Sequence, residues 1–206
     1  MTLTRTDRHA DLVAPGPPRP RYRRAEAVSL GVVAAAMVGF GGFGLATGAP
    51  STVAYLVTVA LVGALVVRAW TPDAPRLLAP GFAVMTVLHL AGGLVRVGHD
   101  VLYNASFASP ALRYDHVAHA FGVLVGTIAV WALVARPAGL AWHGPGAVAV
   151  VVLAGLGLGA LNETVEFLTT TLHHGSHVGG YTNTGWDLVS NVVGAVAAGR
   201  FLARHG

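Results

Sequence analysis

The stretch AVSLGVVAAAMVGFGGFGLATGAPSTVAYLVTVALVGALVV, residues 27–67, carries no charged side chain. It is about twice as long as the ~20 apolar residues that one membrane-spanning helix requires. Its middle, Thr47-Gly48-Ala49-Pro50-Ser51-Thr52, is a turn signal of small, polar and helix-breaking residues. The run therefore reads as two apolar helices, about 27–46 and 51–70. An h-region of a signal peptide, typically about 7–15 residues, is too short to account for it.

Further apolar runs follow downstream. A loop at Thr71–Pro75 holds two prolines and an aspartate, and helices are predicted at about 76–97, 113–135, 145–172 and 184–203. Thr182 or Asn183 would cap the last one. Gly98–Leu112 and His173–Asn183 are polar connections. Upstream, residues 1–26 are rich in arginine and proline, which resists helix. They read as a disordered basic cytoplasmic tail that can touch anionic head groups. The expected fold is all-α: a polytopic membrane bundle of about six transmembrane helices filling residues 27–206.

Composition agrees. Of 206 residues 54% are hydrophobic and 11% charged, against about 25% charged in a soluble domain. So few charges cannot cover a water-facing surface. There is no cysteine, which excludes disulfides and thiolate metal sites. The net charge is +4 and all 13 basic side chains other than histidine are arginine. These sit at helix ends and in the tail, a topological pattern rather than a nucleic-acid surface.

That pattern orients the bundle. With the N-terminus inside and six crossings, Arg5, Arg8, Arg19, Arg21, Arg23, Arg24, Arg68, Arg76, Arg136, Arg200 and Arg204 fall on the inner side, and Arg96 and Arg113 on the outer. The positive-inside rule then predicts a multi-pass protein of the cell membrane with both termini cytoplasmic. Trp70 and Trp186 fall in the inner and outer aromatic belts.

On this topology the polar residues share one depth. His89 lies about two turns below the outer end of the third helix. Asp115, His116 and His119 open the fourth. Asn162, Glu163 and Glu166 lie in the outer half of the fifth, and Asp187 and Asn191 near the start of the sixth. At ~1.5 Å per residue they sit roughly 5–15 Å below the outer boundary. The pairs Asp115/His119, Asn162/Glu166 and Asp187/Asn191, four apart, and Glu163/Glu166, three apart, each share a helix face.

Carboxylates at one level in a membrane need protons, arginine partners or a cation. Carboxylates and histidines on facing helices are a recipe for metal sites in bundles. His89, Asp115, His116, His119, Glu163, Glu166 and Asp187 are therefore candidate ligands of a divalent ion, with Asn162 and Asn191 lining the same pocket. Zinc, manganese and iron all suit this donor set. Glu163 and Glu166 are also candidate catalytic residues. The alternative is an interhelical hydrogen-bond latch, worth ~0.6 kcal/mol per residue on average. His173, His174 and His177 could form a weak metal site or a solvated loop that acts as a lid. Gly155-Leu156-Gly157-Leu158-Gly159 lies in an apolar helix with no strand before it, so it reads as close helix packing rather than a phosphate loop. Ser106, Ser176 and Ser190 have no visible base partner.

Three segments carry a resemblance. Tyr114-Asp115-His116-Val117-Ala118-His119-Ala120-Phe121, Asn162-Glu163-Thr164-Val165-Glu166-Phe167, and Trp186-Asp187-Leu188-Val189-Ser190-Asn191 with Gly194 resemble the YjdF-type integral membrane family of unknown function. They also resemble a wider VanZ-like pattern. His89 followed by Gly92-Gly93 is similar to the preceding helix of the YjdF-type pattern. The likeness spans about residues 86–200. It implies a multi-spanning membrane protein and supplies no reaction.

Three function classes stay open on these residues. The first is a metal-dependent enzyme acting on a lipid-linked substrate at the outer leaflet, with Glu163 or Glu166 as ligand or general base. The second is proton or ion transport, against which the apolar inner halves of the helices count. The third is a structural or accessory protein with a buried polar latch.

Overall fold

In a bilayer every backbone N–H and C=O must be satisfied within the protein, and apolar helices achieve this along their length. The structure is a computed structural model that describes residues 20–49, 51–71, 74–107, 112–135, 144–172 and 180–205. Six long helices appear: α1 (Pro20–Ala46), α2 (Thr52–Ala69), α3 (Leu78–Leu94), α4 (Tyr114–Val130), α5 (Pro145–Leu172) and α6 (Tyr181–His205). A π-helical turn, Trp131–Ala135, continues α4. The only strands among the described residues are a two-residue antiparallel pair, β1 (Arg96–Val97) and β2 (Asp100–Val101). A 3-10 turn follows at Leu102–Asn104.

α4, α5 and α6 pack on one another, α1 and α2 pack on α3, and α3 against α4 joins the two halves. Val59 and Val66 of α2, Leu78 and Leu90 of α3, Val125 and Ile128 of α4 and Leu202 of α6 are fully buried between them. The outside is apolar as well. Val38, Phe43, Leu61, Leu153, Leu161, Phe167 and Val193 are among many large side chains left exposed. Apolar surface this extensive is incompatible with water and natural in lipid.

Four segments are long and apolar enough to cross a bilayer: Arg24–Ala46, Thr52–Ala69, Tyr114–Val134 and Pro145–Leu168. α3 is apolar but has 17 residues. α6, with 25 residues, buries Asn183, Asp187 and Asn191 against its neighbours and turns Leu188, Val189, Val192 and Val193 outward. Its low mean hydropathy comes from these buried polar residues and from the exposed Arg200, Arg204 and His205 at its end.

Three element ends differ from expectation. α1 starts at Pro20, taking in seven residues assigned above to the tail, because proline suits the first turn of a helix. α3 stops at Leu94 instead of Val97. Gly98, at φ +62°, reverses the chain into the β1–β2 turn, and the Arg96 guanidinium donates to the His99 carbonyl across it at 2.7 Å. α6 starts at Tyr181, with the Asn183 and Thr184 N–H groups donating to the Gly180 carbonyl. Asn183 is thus inside the first turn and not a cap. Trp70 meets α1, its indole N–H donating to Glu26 Oε1 at 2.8 Å. Residues 1–19 and the candidate ligands His173, His174 and His177 lie outside the described residues.

Close approach of helices explains two of the α5 glycines. A side chain at Gly155 would meet Thr127 of α4 and Ala195 of α6, and one at Gly159 would meet Asn191. Gly155 and Gly159 are thus packing glycines, as their context predicts, while Gly157 between them faces open space.

Candidate metal centre

Asp115 and His119 occupy the first two turns of α4, so the helical repeat places them one above the other, with His119 Nε2 3.4 Å from Asp115 Oδ1. Gly194 lets α6 come close enough for Asp187 and Asn191 to reach the same imidazole. Gly159 does the same for α5 at Asn191. His119 becomes the centre of the cluster. Its Nδ1 lies 3.2 Å from Glu163 Oε1 and 3.3 Å from Asn191 Oδ1. Its Nε2 faces Glu166 Oε1 at 3.4 Å and Asp187 Oδ1 at 3.9 Å. Four of the nine acidic residues of the chain meet around one buried histidine.

The two ring nitrogens have different surroundings. Nδ1 has two hydrogen-bond acceptors, and Asn191 Nδ2 turns its own N–H toward Glu163 Oε1 at 3.4 Å. That arrangement fits a proton on Nδ1 and a lone pair on Nε2. The three carboxylate oxygens around Nε2 are farther away than the ~2.7–3.2 Å of an N–H···O bond. Ligand atoms held ~2.0–2.2 Å from a common ion stand about 3–4 Å apart, so these spacings suit shared coordination. Asp187 adds an independent sign. It is 1% exposed, and its Oδ1 meets no hydrogen-bond donor among the described residues. His116 Nε2 lies 3.8 Å from that oxygen. Asp115, His119 and Asp187 offer ligand atoms within 4.8 Å of one another, as do His119, Glu163 and Glu166. These buried groups could hold a metal ion.

A second layer orients the first. Asn183 Nδ2 donates to Asp187 Oδ2 at 2.6 Å and to Asp115 Oδ2 at 3.2 Å. Its Oδ1 accepts from the Arg113 guanidinium at 3.1 Å. The Arg113 backbone N–H donates to His116 Nδ1 at 3.1 Å, which places the His116 proton on Nε2, toward Asp187. His116 is buried. Asn162 is exposed and reaches the cluster by donating to Glu166 Oε1 at 2.7 Å.

His89 is set apart from the ligand groups. Its Nδ1 shares a 2.7 Å hydrogen bond with the Tyr103 hydroxyl, which also reaches the His89 carbonyl at 3.1 Å. Tyr55 of α2 packs edge-on against the imidazole at 5.1 Å. Gly92 and Gly93 make room for the rings of Tyr103 and Tyr55. Tyr114 tethers α4 to α3 through the Leu88 carbonyl at 3.1 Å. Burial raises the Tyr103 phenol well above its ordinary pKa, so it stays a neutral partner. Tyr103→Phe is expected to lower thermal stability in detergent by about 1 kcal/mol or more, since the His89 ring loses a buried partner. An unchanged melting curve would show that the loop contributes nothing there.

Sequence reasoning missed Asn183, Arg113 and the three tyrosines as parts of this region. Asn183 alone had a readable signal, standing four residues before Asp187 and eight before Asn191.

Comparison with known proteins gives one family. The family described as "Predicted membrane protein (DUF2238)", which is the YjdF-type family, matches residues 27–206. No curated protein and no solved structure matches the chain.

Proposed function

We propose that this chain, which belongs to the DUF2238 family of predicted membrane proteins, is a metal-dependent enzyme acting on a lipid-linked substrate at the outer leaflet. The observation that carries the reading is the Nε2 nitrogen of His119, which Asp115, Glu166 and Asp187 oxygens face at 3.4, 3.4 and 3.9 Å. Asp115, His119 and Asp187 hold the ion. Glu163 fixes the imidazole through Nδ1–H, the carboxylate–histidine–metal relay common in metalloproteins. Glu166, 29% exposed, is the general base for an ion-bound water. One imidazole and several carboxylates suit zinc, manganese or iron.

Two features support the lipid side of the proposal. On α5, Asn162 and the partly exposed Glu166 stand among outward-facing Leu161, Val165 and Leu168, so the polar centre reaches the lipid-facing surface. The arginine distribution supports cytoplasmic termini and an outer location for the cluster. The VanZ-like link belongs to the same proposal and rests on Asp115-x3-His119 and Asp187-x3-Asn191-x2-Gly194. Transport is less well supported. The buried polar side chains of α3 and α4 inward of His119 that the structure describes are Thr86 and Thr127, neither of which titrates.

Metal analysis of detergent-purified protein tests the proposal. The wild type is expected to bind close to one equivalent of a divalent ion, and Asp187→Asn to lose it. Glu163→Gln keeps an acceptor for Nδ1–H and is expected to bind about 10–100-fold more weakly. A wild type without stoichiometric metal, after incubation with zinc, manganese and ferrous iron, would overturn the assignment.

A further inference from the structure

We infer that a cavity beside the carboxylate cluster seats a phosphate group of the molecule on which the centre acts. The cavity measures about 330 Å³ and is lined by Arg113, His116, Tyr181, Thr182, Asn183 and Trp186. What the seat serves rests on the function proposed above; its geometry does not.

None of the lining residues is acidic. The carboxylates of Asp115 and Asp187 lie across Asn183 and His116 from it. Arg113 presents a planar guanidinium with five N–H donors matched to phosphate oxygens, and one nitrogen is used on Asn183. The first turn of α6 supplies the positive end of a 25-residue helix to the same space. Trp186 adds an indole that bounds the cavity on one side and packs 6.1 Å from the His116 ring. A guanidinium, a helix start and an indole around a cavity of this size form a seat for a phosphate with an adjoining polar group. Asn183 is the shared wall. Its carbonyl faces Arg113 and its amide nitrogen holds both aspartates, so an anion drawing on Arg113 acts on the metal ligands through one side chain.

The phosphate could belong to a lipid head group or be free, and the test separates these sources. Chelator-treated protein removes any contribution of bound metal. Its binding to inorganic phosphate is followed by calorimetry. Its melting temperature is compared in bilayer discs of phosphatidylcholine with and without phosphatidic acid. Wild type is expected to bind phosphate or to be stabilised by phosphatidic acid. Discs giving the larger effect identify a head group, and inorganic phosphate alone a free anion. Arg113→Gln is expected to weaken either interaction by about tenfold or more. Trp186→Ala, which removes a wall and no ligand of the aspartates, is expected to weaken it while leaving metal stoichiometry unchanged. Equal binding by wild type and Trp186→Ala, or no binding by wild type in either format, overturns the inference. Loss of metal binding with phosphate binding intact would count against the metal centre alone.

Discussion

His119→Ala is expected to produce the largest loss of stability of any single substitution in the cluster, together with complete loss of bound metal. The imidazole stands between Asp115, Glu163, Glu166 and Asp187, each within 3.2–3.9 Å of one of its nitrogens. Removing it leaves Asp187 and Glu163 buried and facing other carboxylates across the space it filled. Glu163 loses the Nδ1–H that meets it, and leaving a buried charged group without its hydrogen-bond partner costs about 1–3 kcal/mol or more. The cost should shrink when Glu163→Gln is added, since one repelling charge then disappears. A chelator should lower the melting temperature of the wild type and leave His119→Ala unmoved. If His119→Ala melts with the wild type and still binds metal, His119 is not the hub.

The meeting of three helices at one cluster was legible because the rise per residue converts sequence position into height along each helix, and Asp115, His119, Glu163, Glu166 and Asp187 do come together. The face-sharing pairs were legible too. Asp115 and His119 meet as their spacing requires, and Asn162 reaches Glu166. Direction across the bundle was not legible. His89 turns to Tyr103, a residue delivered by a loop with no periodicity to announce it. Asn183 was hidden because the start of α6 is polar and reads as a connection, although a four-residue repeat of Asn183, Asp187 and Asn191 extends the inward face by one turn. Arg113 served as a marker of topology, and a positive-inside count takes no account of the side chain an arginine touches. The apolar exterior was visible in composition, while the weak hydropathy of α6 mixes a polar face that its neighbours bury with the exposed Arg200, Arg204 and His205.

Gly194→Ala is expected to separate α4 from α6 and to disturb the centre without altering any polar group. A methyl there would overlap the Ala120 carbonyl oxygen. A backbone carbonyl inside a helix cannot rotate aside, so the helices themselves must move apart. Overpacking of this kind costs about 1–3 kcal/mol, and the displaced helix carries Asp187 and Asn191 away from His119. Gly159→Ala makes a graded comparison. Its methyl would stand 2.7 Å from Asn191 Cβ and Cγ, so Asn191 must shift from its place between Glu163 and His119, with α4 untouched. Metal affinity should therefore fall in Gly159→Ala with a smaller loss of stability. Gly185→Ala lies on α6 with nothing within 4 Å and should leave metal binding intact, with stability unchanged or slightly raised by the better helix propensity of alanine. Melting and metal titration of the three variants in one detergent give the ranking. If Gly194→Ala matches Gly185→Ala in both, the close approach of α4 and α6 does not hold the metal ligands in register.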